Sequence, residues 1–356
     1  MVQLARFARH SLGHFPTPLE PMSRLTEHLR ASHPQVPVPN LWIKRDDCTG
    51  LATGGNKTRK LEFLVGDALA RGADVLITQG ATQSNHARQT AAAAAHVGMA
   101  CKLLLERRQE RDKEYEESGN VFLDGLLGAD IVDRLPAGTD MQAAMEELAD
   151  ELRATGARPY VIPGGGSNPI GALGYVACAE ELESAPLPID WVVHATGSTG
   201  TQAGLLAGFG AMNSDVRVLG VSVRHKEDAQ VDAVYALAGD TAATIGAEGS
   251  VSRTGVLVDD RWVGGGYGVP TDTMIDALRL VASVEGILLD PVYSGKGFAG
   301  LLGNIAEGRF TADDNVVFLH TGGSAGLFGY RSAFAGDAPA AAAEAASSRD
   351  QGAVRR

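Results

Sequence analysis

Apolar residues recur along the chain with two periods, one typical of helices and one typical of buried strands. Over residues 57–72 the apolar side chains return every three or four positions, which predicts an amphipathic helix ending at Gly72. Short apolar runs at 74–78, 99–105 and 191–195 predict buried strands instead. The same patterns predict strands at 41–44, 160–162, 216–223, 287–289 and 316–320, and helices at 85–97, 141–155, 170–183, 201–209 and 273–285.

The alternation of these elements determines the predicted fold class. Strands that alternate with helices predict an α/β fold with parallel sheets covered on both faces, and 356 residues fit two such sheets better than one. The first forty residues contain six prolines and are predicted to form an irregular, packed segment. From about Phe334 the alanine-rich sequence predicts a frayed or partly helical tail.

Composition removes several classes of function. The net charge of −12 argues against binding to nucleic acid or an anionic membrane. Three cysteines, Cys48, Cys101 and Cys178, are too few for a disulfide framework and predict a reducing, cytoplasmic location. No signal-peptide or membrane-spanning run is recognised, and the nine histidines show no zinc-binding spacing, so no metal site is expected.

A turn after the strand at 191–195 is the strongest local indication of ligand binding. It consists of Thr196, Gly197, Ser198, Thr199, Gly200 and Thr201. Backbone N–H groups, hydroxyls and the positive end of the following helix suit a phosphate dianion. The spacing matches neither the dinucleotide-binding nor the P-loop glycine pattern. The alternative is a tight strand-to-helix turn with no ligand.

Lys57 is the second candidate. It stands at the start of a predicted helix, where the partial positive charge of the helix disfavours an ammonium group. A neutral amine of this kind is what covalent chemistry with a carbonyl cofactor requires. The alternative is an ordinary solvated lysine, and Lys60 in the same segment is expected to be one.

A third group of polar residues, Gln83, Ser84, Asn85 and His86, precedes the helix predicted at 85–97. It could bind a substrate carboxylate, or Ser84 or Asn85 could simply cap that helix. Farther along, Tyr267 and Tyr293 stand among turn residues and could donate protons, although packed boundary tyrosines are the commoner case.

Two more segments complete the set. The strand at 316–320 leads into Thr321 and two glycines, and polar strand ends of this kind bind ligands in open α/β sheets. A charged run from Glu106 that includes Glu114, Glu116 and Glu117 is expected to be a solvated loop or helix face.

Together these motifs resemble a family of pyridoxal-phosphate enzymes that comprises D-cysteine desulfhydrase, L-cysteate sulfo-lyase and 1-aminocyclopropane-1-carboxylate (ACC) deaminase. The resemblance runs in order over residues 4–330. It is carried by KRDD at 44–47, TGGNKTRKLE at 53–62, QSNH at 83–86, TGSTGT at 196–201, PVYSGK at 291–296 and HTGG at 320–323. WIKRDDCTGL at 42–51 and IPGGGSNP at 162–169 are most similar to the L-cysteate sulfo-lyases.

The resemblance implies a tryptophan-synthase-β-like fold with two α/β domains and the cofactor between them. The expected division is a large domain of 1–58 and 177–333, a small domain of 59–176, and a tail of 334–356. The resemblance makes Lys57 the lysine that holds the cofactor covalently, 197–201 the phosphate site and Asn85 the partner of the phenolic oxygen. It places the substrate carboxylate at Gln83 and Ser84, and it implies a homodimer.

One position separates activities within the family. ACC deaminases resemble this chain but carry an acidic residue after the late tyrosine, where this chain has Ser294. With Ser294, or Thr321, as the partner of the pyridine nitrogen, the ring is a weaker electron sink and suits a good leaving group. Elimination of a sulfur group, giving pyruvate and ammonium, is therefore the expected reaction, with Lys57 or Ser84 removing the α-proton.

L-cysteate is the favoured substrate, followed by D-cysteine and then the cyclopropane amino acid. The sulfonate of L-cysteate adds a negative charge, for which Arg59, Arg88 and His86 are candidate partners. A rival of another class is a non-catalytic protein that binds a phosphate ligand through the 196–201 turn alone.

Overall fold

The computed structural model describes residues 2–109 and 111–334, which contain ten strands and eleven α-helices. The strands are β1 (Leu19–Pro21), β2 (Asn40–Arg45), β3 (Val75–Ala81), β4 (Ala100–Arg107), β5 (Asp130–Pro136), β6 (Pro159–Ile162), β7 (Trp191–Thr196), β8 (Arg217–Ser222), β9 (Leu257–Asp259) and β10 (Asn315–His320). The helices are α1 (Ser23–Ser32), α2 (Lys57–Ala70), α3 (Asn85–Val97), α4 (Lys113–Glu117), α5 (Gly119–Leu126), α6 (Met141–Ala154), α7 (Pro169–Glu183), α8 (Gly200–Met212), α9 (Glu227–Ile245), α10 (Asp272–Glu285) and α11 (Ser294–Ala306).

The strands form two sheets. The larger has the order β1-β2-β10-β7-β8-β9, and the smaller has the order β5-β4-β3-β6. All neighbouring strands are parallel except β1 and β2, which are antiparallel. The predicted α/β class with mostly parallel sheets is confirmed. Within the described residues, no helix is both long and apolar enough to cross a membrane.

Helices cover both faces of the larger sheet because its central strands are apolar on both sides. Val192 packs with α7 and α8 on one face, whereas its neighbour Val193 packs with α1, α10 and α11 on the other. Consecutive strand residues point to opposite faces, so a strand covered on both sides needs an unbroken apolar run. The run at 191–195 has this property, and β7 is buried along its whole length.

Two glycines bring the helices that carry the site close together. A Cβ at Gly174 of α7 would lie 2.3 Å from the carbonyl oxygen of Arg59 in α2. A Cβ at Gly204 of α8 would lie 2.3 Å from the carbonyl oxygen of Ala172 in α7. Only glycine permits these approaches, so α7 packs directly against both helices.

Some predictions of local structure were wrong. The proline-rich start contains β1 and the ten-residue helix α1, because the prolines of this segment flank the helix and its Leu25 and Leu29 are buried. The segment predicted as a strand at 287–289 is irregular. Helix α10 ends at Glu285 and is capped by Gly286, which has a φ of 70°, and residues 287–289 join no sheet.

The predicted domain limits, after residues 58 and 176, fall inside α2 and α7. The chain passes from the larger sheet to the smaller one through α2 and returns through α7. The predicted tail lies outside the described residues, except for Phe334, which ends a 3-10 helix at Ser324–Phe334.

Candidate active site

Lys57 begins α2, as predicted, and lies where two cavities meet. Its amino group approaches the Ser198 hydroxyl at 3.5 Å. Burial lowers the pKa of Lys57 to about 8, because an ammonium group loses hydration there. A substantial fraction of the amine is therefore neutral near physiological pH.

The expectation that Lys60 is a solvated lysine is wrong. Lys60 is fully buried rather than solvated, and its amino group donates to the carbonyl oxygen of Gly165 at 3.1 Å and to the hydroxyl of Ser167 at 3.4 Å. Burial, together with the nearby charge of Lys57, holds the pKa of Lys60 well below its usual value. The spacing of three residues places both lysines on one face of α2.

The first of the two cavities, which we call the turn cavity, follows the end of β7. It is lined by Asn56, Lys57, Asn85, His86, Ala195, Thr196, Gly197, Ser198, Thr199, Thr201, Tyr293 and Thr321. Thr199 has a φ of 68°, a left-handed conformation that turns the chain sharply into α8. The Thr201 hydroxyl accepts a hydrogen bond from the Asn56 amide at 3.1 Å.

The chemistry of this turn fits a phosphate ester. Gly200 and Thr201 open α8; the Gly200 N–H donates to the Ser167 hydroxyl at 3.2 Å, and the N–H groups that follow have no partner within the helix. Ser198 and Thr199 add hydroxyl groups on the same turn. The turn cavity thus combines an anion-binding helix start with a partly neutral lysine, which is the donor set that pyridoxal phosphate needs.

The start of α3 forms the facing wall. Ser84 caps the helix by accepting a hydrogen bond from the N–H of Ala87 at 3.1 Å, so the capping alternative for Ser84 is correct. Its side chain also lines the second cavity. Asn85 lines the turn cavity, and its side-chain oxygen accepts from the Asn120 amide at 3.0 Å.

His86 lines both cavities, and its protonation can be assigned. Its Nε2 is 2.9 Å from the Thr78 hydroxyl, which itself donates to the carbonyl oxygen of Ile162 at 2.8 Å. The ring must therefore donate from Nε2, which leaves Nδ1 as an acceptor without a partner among the described residues. Burial keeps the pKa of His86 well below its usual value, so the ring is neutral.

Three predicted site residues, Gln83, Gly200 and Ser294, do not line either cavity. The Gln83 amide donates to the carbonyl oxygens of Tyr115 at 2.6 Å and Ser118 at 2.8 Å, so it holds the chain between α4 and α5. The Ser294 hydroxyl donates to the Asp290 carboxylate at 2.7 Å. Of the two proposed partners of a pyridine nitrogen, only Thr321 lines the turn cavity.

The two tyrosines come together at the boundary of the cavities. Tyr293 lines both, and its hydroxyl is hydrogen-bonded to that of Tyr267. The rings pack edge to face with centroids 5.7 Å apart. Burial raises the pKa of both phenols, so both stay protonated at neutral pH.

The second cavity, which we call the arginine cavity, has a volume of about 230 Å³. It is lined by Lys57, Gln79, Gly80, Ala81, Ser84, His86, Arg108, Gly164, Gly165, Gly197, Ser198, Thr199, Arg224, His225, Tyr267 and Tyr293. Sequence reasoning missed Arg108, which lies in the charged run expected to be solvated, and Arg224. Both follow the carboxyl ends of strands, a position that could have identified them.

The arginines considered earlier have other roles. Arg59 is buried in an ion-pair network and contacts Asp46 at 2.8 Å and Glu181 at 2.8 Å. Arg88 donates to Asn120 at 2.9 Å and to the carbonyl oxygen of Gly54 at 2.7 Å. Neither lines a cavity of the site, which corrects their assignment to a substrate sulfonate.

The fold and the donor set define a pyridoxal-phosphate enzyme. The family model described as pyridoxal-phosphate dependent enzyme matches residues 10–322. The chain belongs to this family, and its cofactor is pyridoxal 5'-phosphate. The predicted tryptophan-synthase-β-like architecture, known as fold type II, is thereby confirmed.

Comparison with individual proteins shows which known enzymes this chain is similar to. The chain is 45% identical to a D-cysteine desulfhydrase of Salmonella newport (strain SL254) over 335 residues, which cover 92% of this chain and 97% of the relative. A crystal structure of an ACC deaminase homologue matches with a TM-score of 0.83 and 37% identity over 93% of this chain and 96% of that one. An O-ureido-L-serine synthase, 19% identical with a TM-score of 0.65 over 94% and 97% of the two chains, shares the fold. The predicted resemblance is confirmed, and these names support the D-cysteine alternative better than the favoured L-cysteate.

Proposed function

We propose that the chain is a lyase that removes the sulfur substituent from Cβ of a cysteine-like amino acid and yields pyruvate and ammonium. The observation that carries this proposal is the position of Lys57, whose pKa is lowered to about 8 and which lines both cavities. The turn cavity accommodates the cofactor, and the arginine cavity accommodates the part of the substrate that leaves. The name of the D-cysteine desulfhydrase relative supports a sulfur-releasing reaction.

The residues that hold the cofactor follow from the turn cavity. We assign the phosphate to the turn from Thr196 to Thr201, the phenolic oxygen to Asn85 and the pyridine nitrogen to Thr321. Bound there, pyridoxal phosphate supplies an acceptor for the electron pair left at Cα when its proton is removed. Thr321 offers a hydroxyl and no carboxylate, so it does not hold a proton on the nitrogen. This favours a substrate with a good leaving group over the cyclopropane amino acid.

Two side chains can take the α-proton. The Lys57 amine is partly neutral and lines both cavities, whereas the Ser84 hydroxyl already accepts a hydrogen bond from the Ala87 N–H. The lone pair on nitrogen is the stronger base, so we assign the proton to Lys57. Tyr293 and Tyr267 stay protonated and can donate to the departing group, and Ser84 is left to bind the substrate with His86.

Two sulfur substituents, a thiol and a sulfonate, are candidate leaving groups in this reaction. D-cysteine, which releases sulfide, is supported by the name of the relative. L-cysteate, which releases sulfite, is supported by the arginines of the second cavity. The holoenzyme should be incubated with L-cysteate, D-cysteine and the cyclopropane amino acid, with assays for sulfite, sulfide and 2-oxobutanoate. Release of 2-oxobutanoate alone would contradict the proposal.

We also propose that the chain is an active enzyme rather than a binding protein, and that it forms a homodimer as its family resemblance implies. The purified protein should be yellow, and light scattering should give twice the mass of one chain. A colourless protein that gains no visible band on addition of pyridoxal phosphate would favour the phosphate-binding alternative.

A further inference from the structure

The arginine cavity has a positive lining in an acidic protein. Arg108 and Arg224 both line it, whereas no aspartate or glutamate does within the described chain. The protein as a whole has a net charge of −12. Charge of one sign concentrated in a cavity attracts a ligand of the other sign.

Arg108 is held in place by one edge of its guanidinium group. Its Nε donates to the Glu106 carboxylate at 2.5 Å, and the other oxygen of Glu106 accepts from the Gly138 N–H at 3.1 Å. The guanidinium carbon lies 4.7 Å from the centre of the Tyr267 ring. These contacts orient the side chain and leave its terminal nitrogens available to a ligand.

Arg224 lies at the rim of the cavity, where its side chain is partly exposed. In the described part of the chain its guanidinium makes no hydrogen bond or ion pair. Burial and the charge of Arg108 lower the pKa of Arg224, and burial followed by the charges of Arg224 and Arg108 lowers the pKa of His225. The carboxylate of Glu106 compensates the charge of Arg108, so the charge of Arg224 is the one left for an anion to neutralise.

We propose that Arg108 and Arg224 bind the sulfonate of the departing substituent, so that the enzyme prefers a substrate with a β-sulfonate, such as L-cysteate, to one with a β-thiol, such as D-cysteine. This inference rests on the proposed lyase function and names its substrate. A sulfonate presents three oxygens and a negative charge, which guanidinium groups bind through charge-assisted hydrogen bonds. A thiol, with a pKa of about 8.5, is mostly neutral at pH 7 and offers no such group.

The arginine pair would also favour the elimination itself. The Cα–H bond breaks and its proton passes to the Lys57 amine. The electron pair forms the Cα–Cβ double bond, and the Cβ–S bond breaks with both electrons on sulfur. Sulfite leaves, and one water molecule completes the conversion to pyruvate and ammonium. Negative charge grows on the sulfite oxygens as the bond breaks, which strengthens their interaction with the arginines.

The phosphate of the cofactor is a second anion that arginines could bind. Neither Arg108 nor Arg224 lines the turn cavity, where the helix start of α8 already provides anion donors. The inference therefore predicts that the affinity for pyridoxal phosphate does not depend on these arginines.

The test compares holoenzymes carrying Arg224→Gln, Arg224→Lys or Arg108→Gln with a control, Arg107→Gln. Arg107 precedes Arg108, is exposed and does not line either cavity. Circular dichroism and titration of the visible cofactor band verify folding and cofactor affinity. Methanesulfonate serves as a probe that carries the sulfonate and lacks the amino acid.

We expect each glutamine variant of the pair to raise the KM for L-cysteate by about tenfold or more, as the loss of a charge-assisted hydrogen bond predicts. The KM for D-cysteine and the affinity for the cofactor should change less than about twofold. Methanesulfonate should inhibit the wild type competitively and inhibit the Arg224→Gln variant weakly. Arg224→Lys should restore part of the affinity, and Arg107→Gln should behave as the wild type.

The inference and the lyase function fail in different ways. If D-cysteine releases sulfide and the arginine variants leave the KM values for both substrates unchanged, the lyase function stands and the sulfonate site is wrong. Loss of cofactor affinity in the arginine variants would show that they bind phosphate. If no substrate releases sulfur, the lyase function is wrong. In that case, thermal stabilisation by methanesulfonate of the wild type but not of Arg224→Gln would still support an anion site at the arginines. If methanesulfonate did not stabilise the wild type, the anion site would be overturned as well.

Discussion

The two cavities that meet at Lys57 offer anions different chemistry. The turn cavity has a helix start, hydroxyls and no arginine, whereas the arginine cavity has two guanidinium groups. Backbone N–H groups are fixed by the fold and require no counter-charge in the empty protein. Guanidinium groups on side chains can follow a ligand that arrives and leaves.

The difference matches the residence time of the two proposed ligands. A cofactor that stays through many turnovers suits rigid backbone donors around the start of α8. A substrate group that departs in every cycle suits side chains whose charge is left partly uncompensated. The comparison therefore separates substitutions that affect the cofactor from those that affect the substrate.

The largest expected effect is on kcat and concerns the two tyrosines at the boundary between the cavities. Tyr293 lines both cavities and Tyr267 lines only the arginine cavity. Tyr293→Phe removes a phenol beside both ligands and should lower kcat by about 10²-fold, the usual contribution of a proton donor. Tyr267→Phe leaves the Tyr293 hydroxyl in place as a donor and should lower kcat less. Steady-state kinetics of both variants checks this, and equal loss of kcat in both would remove the distinction.

The next effect concerns the start of α8, beside the turn cavity. A Cβ at Gly200 would lie 2.8 Å from the Ser167 hydroxyl and 2.9 Å from the Lys60 amino group. Gly200→Ala should displace the start of α8 and weaken cofactor binding about 30-fold, as a packing strain of about 2 kcal/mol implies.

The control for Gly200→Ala is Gly239→Ala in α9, where an added Cβ meets nothing within 4 Å. Titration of the apo-protein with pyridoxal phosphate measures both variants. Unchanged affinity in Gly200→Ala would place the phosphate elsewhere. A higher KM for substrate at saturating cofactor would mean that the two cavities are not independent.

The pH dependence of cofactor capture tests Lys57, which lines both cavities. Burial lowers the pKa of Lys57 to about 8, so its reactive neutral form increases as the pH rises through that value. The neutral fraction goes from about one tenth at pH 7 to about nine tenths at pH 9. The rate of cofactor capture by the apo-protein should therefore rise about tenfold over this range and then level off. A continued rise to pH 11 would indicate an amine whose pKa is not lowered.

The smallest effect is the response to salt. Screening of charges becomes stronger between 0.1 M and 1 M potassium chloride, as the Debye length falls from about 10 Å to about 3 Å. Because Arg224 is partly exposed, the KM for L-cysteate should rise about threefold, whereas retention of the cofactor should not change. Equal sensitivity of the two would argue against separate anion sites.

Sequence reasoning predicted most of the fold because periodic patterns record burial. The starts of α2 at Lys57 and of α3 at Asn85 were predicted to the residue, since a run of glycine and polar residues precedes each helix. It missed α1 because prolines around that helix outweighed two buried leucines. It placed a strand at 287–289 because apolar side chains that pack from an irregular segment leave the same local pattern as a strand.

The parts of the site that are formed by consecutive residues could be predicted from the sequence. The turn from Thr196 to Thr201 and Lys57 are contiguous signals, and the structure brings them together. The partners of an arginine can be distant in the sequence. Arg59 and Arg88 were candidates to bind a substrate sulfonate, yet residues from other parts of the chain bind them. Arg108 looked solvated, yet the fold turns it toward a cavity. Only the tertiary structure decides which charges the protein itself neutralises.

Borohydride reduction of the holoenzyme, followed by peptide mapping, tests the central claim most directly. Lys57 and Lys60 lie one helical turn apart, and burial lowers the pKa of both. The account predicts that the reduced cofactor is attached to Lys57 alone, with loss of the visible band. Attachment to Lys60, or no covalent attachment at all, would contradict it.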